Sequence, residues 1–223
     1  MIKNLIDHNY SNVTRMLELG SGTGNHAVYF SRLKYEIDGI DLSEQMIDIS
    51  NSKNIPNAKF FVGDISNFQF DENYDVCISL FHVISYITDL NELIKVFNNI
   101  FSSLKPGGIF IFDCWNKPAV IKDPPSIRKT FFENELLKIE RIAFPVNDFI
   151  NSITKIVFEL NILDKKSNTK HFETETHKMR FFSEEEINYV SKKSKFKVLN
   201  CYNWLDINSK SSEDYYNCYI LKK

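Results

Sequence analysis

Three acidic residues and three alternating glycines carry the first chemistry legible in this chain. Glu18-Leu19-Gly20-Ser21-Gly22-Thr23-Gly24 ends one apolar run and opens a helical pattern. Glycines let the backbone pass close beneath a ligand and take positive φ where needed. The helix N-terminus points free N–H groups into the same space. The spacing is not the dinucleotide G-x-G-x-x-G, and the acid precedes the glycines. A carboxylate there repels a pyrophosphate and suits the ammonium of a zwitterionic amino-acid moiety. Asp41 follows Gly24 by 17 residues and ends the next strand. That position suits hydrogen bonds from ribose hydroxyls. In isolation it reads equally as a helix-entry residue. Asp64, after the third strand, can accept from an exocyclic amine, while the N–H of Ile65 donates to a ring nitrogen. That pair fits adenine; by itself Asp64 is equally a turn residue.

The elements that must position these groups alternate. Short apolar strands are expected at 15–19, 35–41, 59–63 and 74–80, and a fifth at 109–114. Helical patterns lie between them at 25–34, after the Ser43 cap, and at 89–103. Pro106-Gly107-Gly108 is expected to stop the last of these. Continuous apolar strands with helices between them mean a doubly wound α/β fold with both sheet faces covered. The pattern then changes. Residues 116–126 are punctuated by proline, and 127–182 reads as long antiparallel strands turning at Asn147-Asp148 and at 165–168. Ser183 with Glu186 predicts a capping box, and two more strands follow. The expected architecture is one domain over 1–223 with a β-rich insert at 116–182. Asp123-Pro124-Pro125 reads as a turn.

Composition narrows the class. At 223 residues and 43% hydrophobic content the chain can build one sizeable core. A net charge of −2 shows no basic footprint for nucleic acid. No apolar run approaches the roughly 18 residues needed to span a bilayer. The N-terminus lacks the apolar stretch of a secretory signal. Cys77, Cys114, Cys201 and Cys218 are widely spaced, which favours free thiols in a reducing cytoplasm over a disulfide or zinc framework.

The segments LELGSGTGNHA, GIDLSEQM, FFVGDISNF, YDVCISLFHVISYI and LKPGGIFIFD, in this order, resemble the class I S-adenosylmethionine-dependent methyltransferases from about Met16 to Cys114. The resemblance implies a Rossmann-like, seven-stranded, mostly parallel sheet. It implies S-adenosyl-L-methionine as cofactor, with Gly20, Gly22 and Gly24 under its methionine part and Glu18 near its amino group. It places Asp41 at the ribose, Asp64 and Ile65 at the adenine, Met46 against the adenine side, and Leu80 and Phe81 at the sulfonium, with Leu42 among the cofactor contacts. The insert, ending in HFETETHKMRFFSEEEI, is similar to that of N-methyltransferases acting on nucleotide-linked aminosugars, where it forms a lid over the acceptor. Relatives usually carry a longer aromatic segment before the first strand than the 14 residues that precede Arg15.

Methyl transfer is an in-line displacement that needs alignment and exclusion of water. A neutral amine needs little more; a hydroxyl usually needs a base, most often His. His82, after the fourth strand, is the candidate proton acceptor, against a packing histidine as the plain alternative. Tyr86, one turn on, would share its face. Trp115 and Asn116 leave the fifth strand at the same rim as substrate contacts, with a core role for Trp115 equally open. His171, Glu173, Glu175 and His177 alternate on one strand face; outward charge is the preferred reading and no metal is expected. His177 and Arg180 could reach a substrate diphosphate from the lid. The leading expectation is methyl transfer to the amino group of a nucleotide-linked aminosugar. The rivals are O-methylation of a sugar or other small metabolite, and an inactive cofactor-binding subunit. The expected partner is a small molecule, without nucleic acid or membrane, and with room for a homodimer.

Overall fold

A computed structural model describes residues 1–71, 73–204 and 214–223. Five parallel strands form its centre: β1 (Arg15–Leu19), β2 (Glu36–Asp41), β3 (Ala58–Val62), β4 (Tyr74–Ser79) and β5 (Leu104–Asn116). They lie in the order β3-β2-β1-β4-β5. Every residue of β4 is buried, as expected for a strand covered on both faces. Order reverses between β1 and β4, and ligands bind in the crevice beyond the strand ends at such a point. The helices α2 (Asn25–Ser31), α3 (Glu44–Ser52) and α4 (Leu90–Ser103) cover the faces. Ser43 Oγ accepts from Met46 N–H, so the predicted cap forms. The segment before β1, for which no element is expected from the sequence, holds α1 (Ile2–Asn9); Leu5 and Ile6 pack it into the core.

α4 ends at Ser103, as expected, and extended backbone then runs from Leu104 through the Pro-Gly-Gly into β5. A short helix, α5 (Lys117–Lys122), occupies part of the proline-punctuated segment. Pro118 sits in its first turn, where the missing N–H costs nothing.

The insert is an antiparallel sheet of β6 (Arg128–Glu133), β7 (Leu137–Asp148), β8 (Ile153–Asp164) and β9 (Thr169–Phe182). The turn at 165–168 is as expected. Asn147 and Asp148 instead end β7, and Asp148 Oδ1 accepts from Asn151 N–H to close a turn over 149–152. β9 joins the central sheet through Trp115↔Phe181 and Asn116↔Phe182. β4 has ended by then, paired last at Phe112. β9 therefore takes over the edge that β4 vacates. A capping box at Ser183 starts α6 (Glu184–Lys193), as predicted. β10 (Lys197–Asn203) and β11 (Tyr216–Lys222) complete the sheet, β11 antiparallel to β5 along residues 109–115. Apart from β9, which joins only at its end, the central part has the expected seven strands, β3-β2-β1-β4-β5-β11-β10, five of them parallel, and β9 continues it into the insert as one eleven-stranded sheet. All four cysteines are buried, and no disulfide joins any of them among the described residues.

Candidate active site

The glycine loop is locked to the neighbouring strand by its own backbone. Gly20 N–H and Ser21 N–H both donate to Ile40 O, at 2.8 and 3.0 Å. Gly22 N–H donates to Asp41 Oδ2 at 2.8 Å, and Ser43 N–H to Oδ1 at 2.9 Å. Asp41 therefore braces the loop as well as facing the crevice. Each of its oxygens keeps a lone pair for a further donor such as a ribose hydroxyl. Gly20 has φ +69°, and a Cβ there would lie 2.3 Å from Val83 Cγ2. Gly22 has φ +51°, and among the described residues nothing lies within 4 Å of the place its Cβ would take. The loop is tight on one side and open on the other.

Gly20, Asp41, Leu42, Asp64 and Ile65 line one cavity of about 490 Å³. Tyr86 and His177 complete it, so core and insert both contribute. Tyr86 Oη lies 2.7 Å from His177 Nδ1, and His177 Nε2 lies 3.3 Å from Glu175 Oε2. Burial pushes the Tyr86 phenol up from its ordinary value. Asp64 Oδ1 accepts Ser66 N–H at 2.8 Å, a turn role that leaves acceptor capacity toward the cavity. Met46 does not line this space; it sits on α3, 41% exposed.

Glu18 is 2% exposed. Its Oε1 lies 2.7 Å from His26 Nδ1, while the buried Oε2 has no hydrogen-bond partner among the described residues. Burial raises the Glu18 carboxyl above its ordinary value, and the His26 contact opposes that. The Glu18 bond in turn raises His26. Leu80 and Phe81 border a smaller cavity, about 230 Å³, together with His26 and Trp204.

Beyond β4 the backbone is strained. Phe81 and His82 both take positive φ, +61° and +65°. Such conformations in non-glycine residues cluster at functional sites. They aim His82 at the end of β5: its Nδ1 lies against Asp113 Oδ2, and its backbone N–H donates to the same oxygen at 3.1 Å. The ring stacks on Tyr216, with centroids 4.1 Å apart. His82 and Tyr86 do not share a face as expected. The turn between them, Val83–Tyr86, is 3₁₀ rather than α. At three residues per turn, a residue four positions on is rotated well away.

Trp115 lines a third cavity of about 340 Å³ between the β5 end and the insert, with Arg128, Tyr215 and Tyr216. Asp123 and Pro125 of the supposed turn also border it. Asn116 and Arg180, expected as substrate contacts, are engaged by the protein. Asn116 Nδ2 donates to Asp214 O at 2.8 Å. Arg180 Nη1 donates to Thr88 O at 3.0 Å, and Nη2 pairs with Glu186. The guanidinium fork clamps the insert to α6 instead of facing a ligand. His171, Glu173 and Glu175 are exposed, while His177 at the end of the row is half-buried against Tyr86. Among the described residues, no group of His, Cys, Asp and Glu could hold a metal.

His26 and Asp113 are the residues the sequence reading passed over. Each stands inside a segment that carried the resemblance, one turn past Gly22 and at the end of IFIFD. Tyr216 gave no signal.

A seven-stranded doubly wound sheet, a glycine loop opening α2 and acids at three successive strand tips define a class I S-adenosylmethionine-dependent methyltransferase. The residues fit that cofactor: Gly20, Asp41, Asp64 and Ile65 share one cavity, and Glu18, outside its lining, keeps a buried oxygen without a hydrogen-bond partner among the described residues. The comparisons agree. Residues 16–108 match the family described as Methyltransferase domain, and the chain carries that domain there. It is 22% identical over 185 residues to dTDP-3-amino-3,4,6-trideoxy-alpha-D-glucopyranose N,N-dimethyltransferase of Streptomyces venezuelae, covering 83% of this chain and 76% of that protein. It is similar in fold to an S-adenosylmethionine-dependent methyltransferase from Clostridium acetobutylicum, with a TM-score of 0.85 and 20% identity over 99% of this chain and 88% of that one. Streptomyces venezuelae DesVI superposes with a TM-score of 0.81 at 17% identity, again over 99% and 88%. No helix among the described residues is long and apolar enough to cross a membrane.

Proposed function

We propose that this methyltransferase acts on the amino group of a nucleotide-linked aminosugar, in the cytoplasm. The observation that carries the reading is the 340 Å³ cavity between the rim of the sheet and the insert. Its lining joins the flat rings of Trp115, Tyr215 and Tyr216 to the guanidinium of Arg128. Aromatic faces suit a base or sugar, and Arg suits a phosphate oxygen. Tyr216 connects this cavity to His82, on which it stacks. The Streptomyces venezuelae relative, named for a dTDP-aminosugar, supports the same acceptor class.

Bound S-adenosylmethionine supplies a methyl group on a sulfonium centre. The chain's own residues do the rest. Asp41, Asp64 and Ile65 would hold the cofactor's nucleoside, and Glu18 would hold its ammonium. Tyr86 and His177 bridge core and insert, which excludes water. His82, oriented by the buried Asp113, takes up the proton released at the acceptor.

The His82–Asp113 pair also favours a second reading, transfer to a sugar hydroxyl, because that acceptor needs a base in the transition state. Release of S-adenosylhomocysteine from a dTDP-aminosugar and from its hydroxyl analogue separates the two. The amino reading predicts turnover of the aminosugar alone, with His82→Ala losing activity mainly at low pH, where the amine is protonated. Turnover of the hydroxyl analogue only, abolished in His82→Ala at every pH, favours O-methylation. Cofactor binding without turnover of any amine or hydroxyl overturns both.

A further inference from the structure

The two oxygens of Glu18 meet different surroundings. Oε1 is held by His26 Nδ1 at 2.7 Å, whereas Oε2 is buried and lacks a hydrogen-bond partner among the described residues. A buried carboxylate oxygen without a donor is costly, which points to a donor that a ligand brings. His26 is fixed in turn: its ring stacks on Phe81 with centroids 5.4 Å apart and planes within 11°. We propose that His26 is a positioning residue for the cofactor, holding Glu18 by Oε1 so that Oε2 receives the ligand's ammonium, and releasing its own proton when that ammonium arrives. The proposal rests on the cofactor assignment and is independent of the acceptor.

The reason is competition. An imidazolium and an ammonium share one carboxylate, and each weakens the other. The groups around the pair come from every neighbouring element. Asp41 on β2 acts on Glu18, Asp113 on β5 acts on His26, and Cys77 on β4 lies within the field of Glu18. Asp113 is itself paired with His82. Lys53, just past α3, donates to Thr23 O at 2.6 Å and Asn25 Oδ1 at 2.8 Å, close to the start of α2. The Glu18 contact raises His26 in the free protein. A second cation beside Glu18 lowers it again, so binding expels a proton. Affinity then rises with pH between the bound-state and free-state values of His26, and levels off above the latter.

Titration calorimetry with S-adenosylhomocysteine, in two buffers of different ionisation enthalpy near neutral pH, reads the protons released. 5′-Methylthioadenosine, which keeps the nucleoside and lacks the ammonium, is the control ligand. Wild type should release a fraction of a proton with the first ligand and none with the second. His26→Asn, which keeps an N–H donor near the Nδ1 position, should bind S-adenosylhomocysteine within about threefold of wild type and release none, whereas His26→Ala should lose about tenfold. If His26→Ala fails to fold by circular dichroism, His26→Asn alone decides. Unchanged proton release in His26→Asn, or equal release with 5′-methylthioadenosine, overturns the proposal. Failure of every aminosugar acceptor leaves it standing, while no binding of S-adenosylhomocysteine by wild type defeats the cofactor assignment and this inference together.

Discussion

Glu18 and Asp41 divide the work of the loop between them. Asp41 spends two lone pairs on the N–H groups of Gly22 and Ser43, so it shapes the loop before any ligand arrives. Glu18 keeps one oxygen without a donor among the described residues. Their substitution should therefore fail differently. Glu18→Gln should leave the fold intact and weaken S-adenosylhomocysteine binding by about 10- to 100-fold, the worth of a hydrogen bond to a charged group, as read by calorimetry. Unaltered affinity in Glu18→Gln would remove Glu18 from the site. The acids were legible because their chemistry is local to a strand tip. Arg180 is less legible for the opposite reason: a guanidinium suits a diphosphate, but here it is engaged by Glu186 on the next helix and by Thr88 O, 92 residues away.

At the scale of elements, Asp75 at the start of β4 fastens several pieces at once. Its carboxylate accepts from Tyr10 Oη, from Thr14 N–H and Oγ, from Arg15 N–H and from Lys105 Nζ, all at 2.8 to 2.9 Å. It thereby ties the chain after α1 to β1, β4 and β5. These donors outweigh desolvation and hold the carboxyl well below its usual range. A depressed folded-state value means stability that is fully present above the unfolded value of about 4 and lost as pH falls toward the folded one. Asp75→Asn should cost about 2 kcal/mol at neutral pH, and urea melts should show the difference from wild type shrinking in strong acid. A gap that stays constant down to the lowest pH at which wild type folds would contradict this. Tyr10 and Thr14 sit in the segment before β1, for which no element is expected from the sequence. Its anchoring comes from a residue about 60 positions away, which no local pattern reveals.

At the scale of the molecule, β5 is the spine. It pairs with β4 and β11 along its length and with β9 at its tip. Only two register pairs join the insert's sheet to the central one, so side-chain packing must carry the junction. Phe181 does this: it is fully buried, in a cluster with Trp115, Val120, Ile156 and Met179. Phe181→Ala should cost about 3 kcal/mol in a denaturant melt, and it should raise the KM for acceptor more than that for cofactor, because the 340 Å³ cavity shares Trp115 and Ile156 with this cluster. Equal effects on both constants would separate the cavity from the acceptor.

The sequence by itself determined the strand–helix alternation, the change to antiparallel strands after Cys114, the two serine helix caps and the three acids beside the glycine loop. Periodicity, capping and turn chemistry act over a few residues, so they survive in one dimension. Tertiary structure alone decided which side chains meet. His82 reaches Asp113 because β4 and β5 are paired in one register, and Tyr86 reaches His177 because β9 folds back over the crevice across 91 residues. A strand's own pattern says which face a residue takes; only the pairing of distant strands says what it faces there.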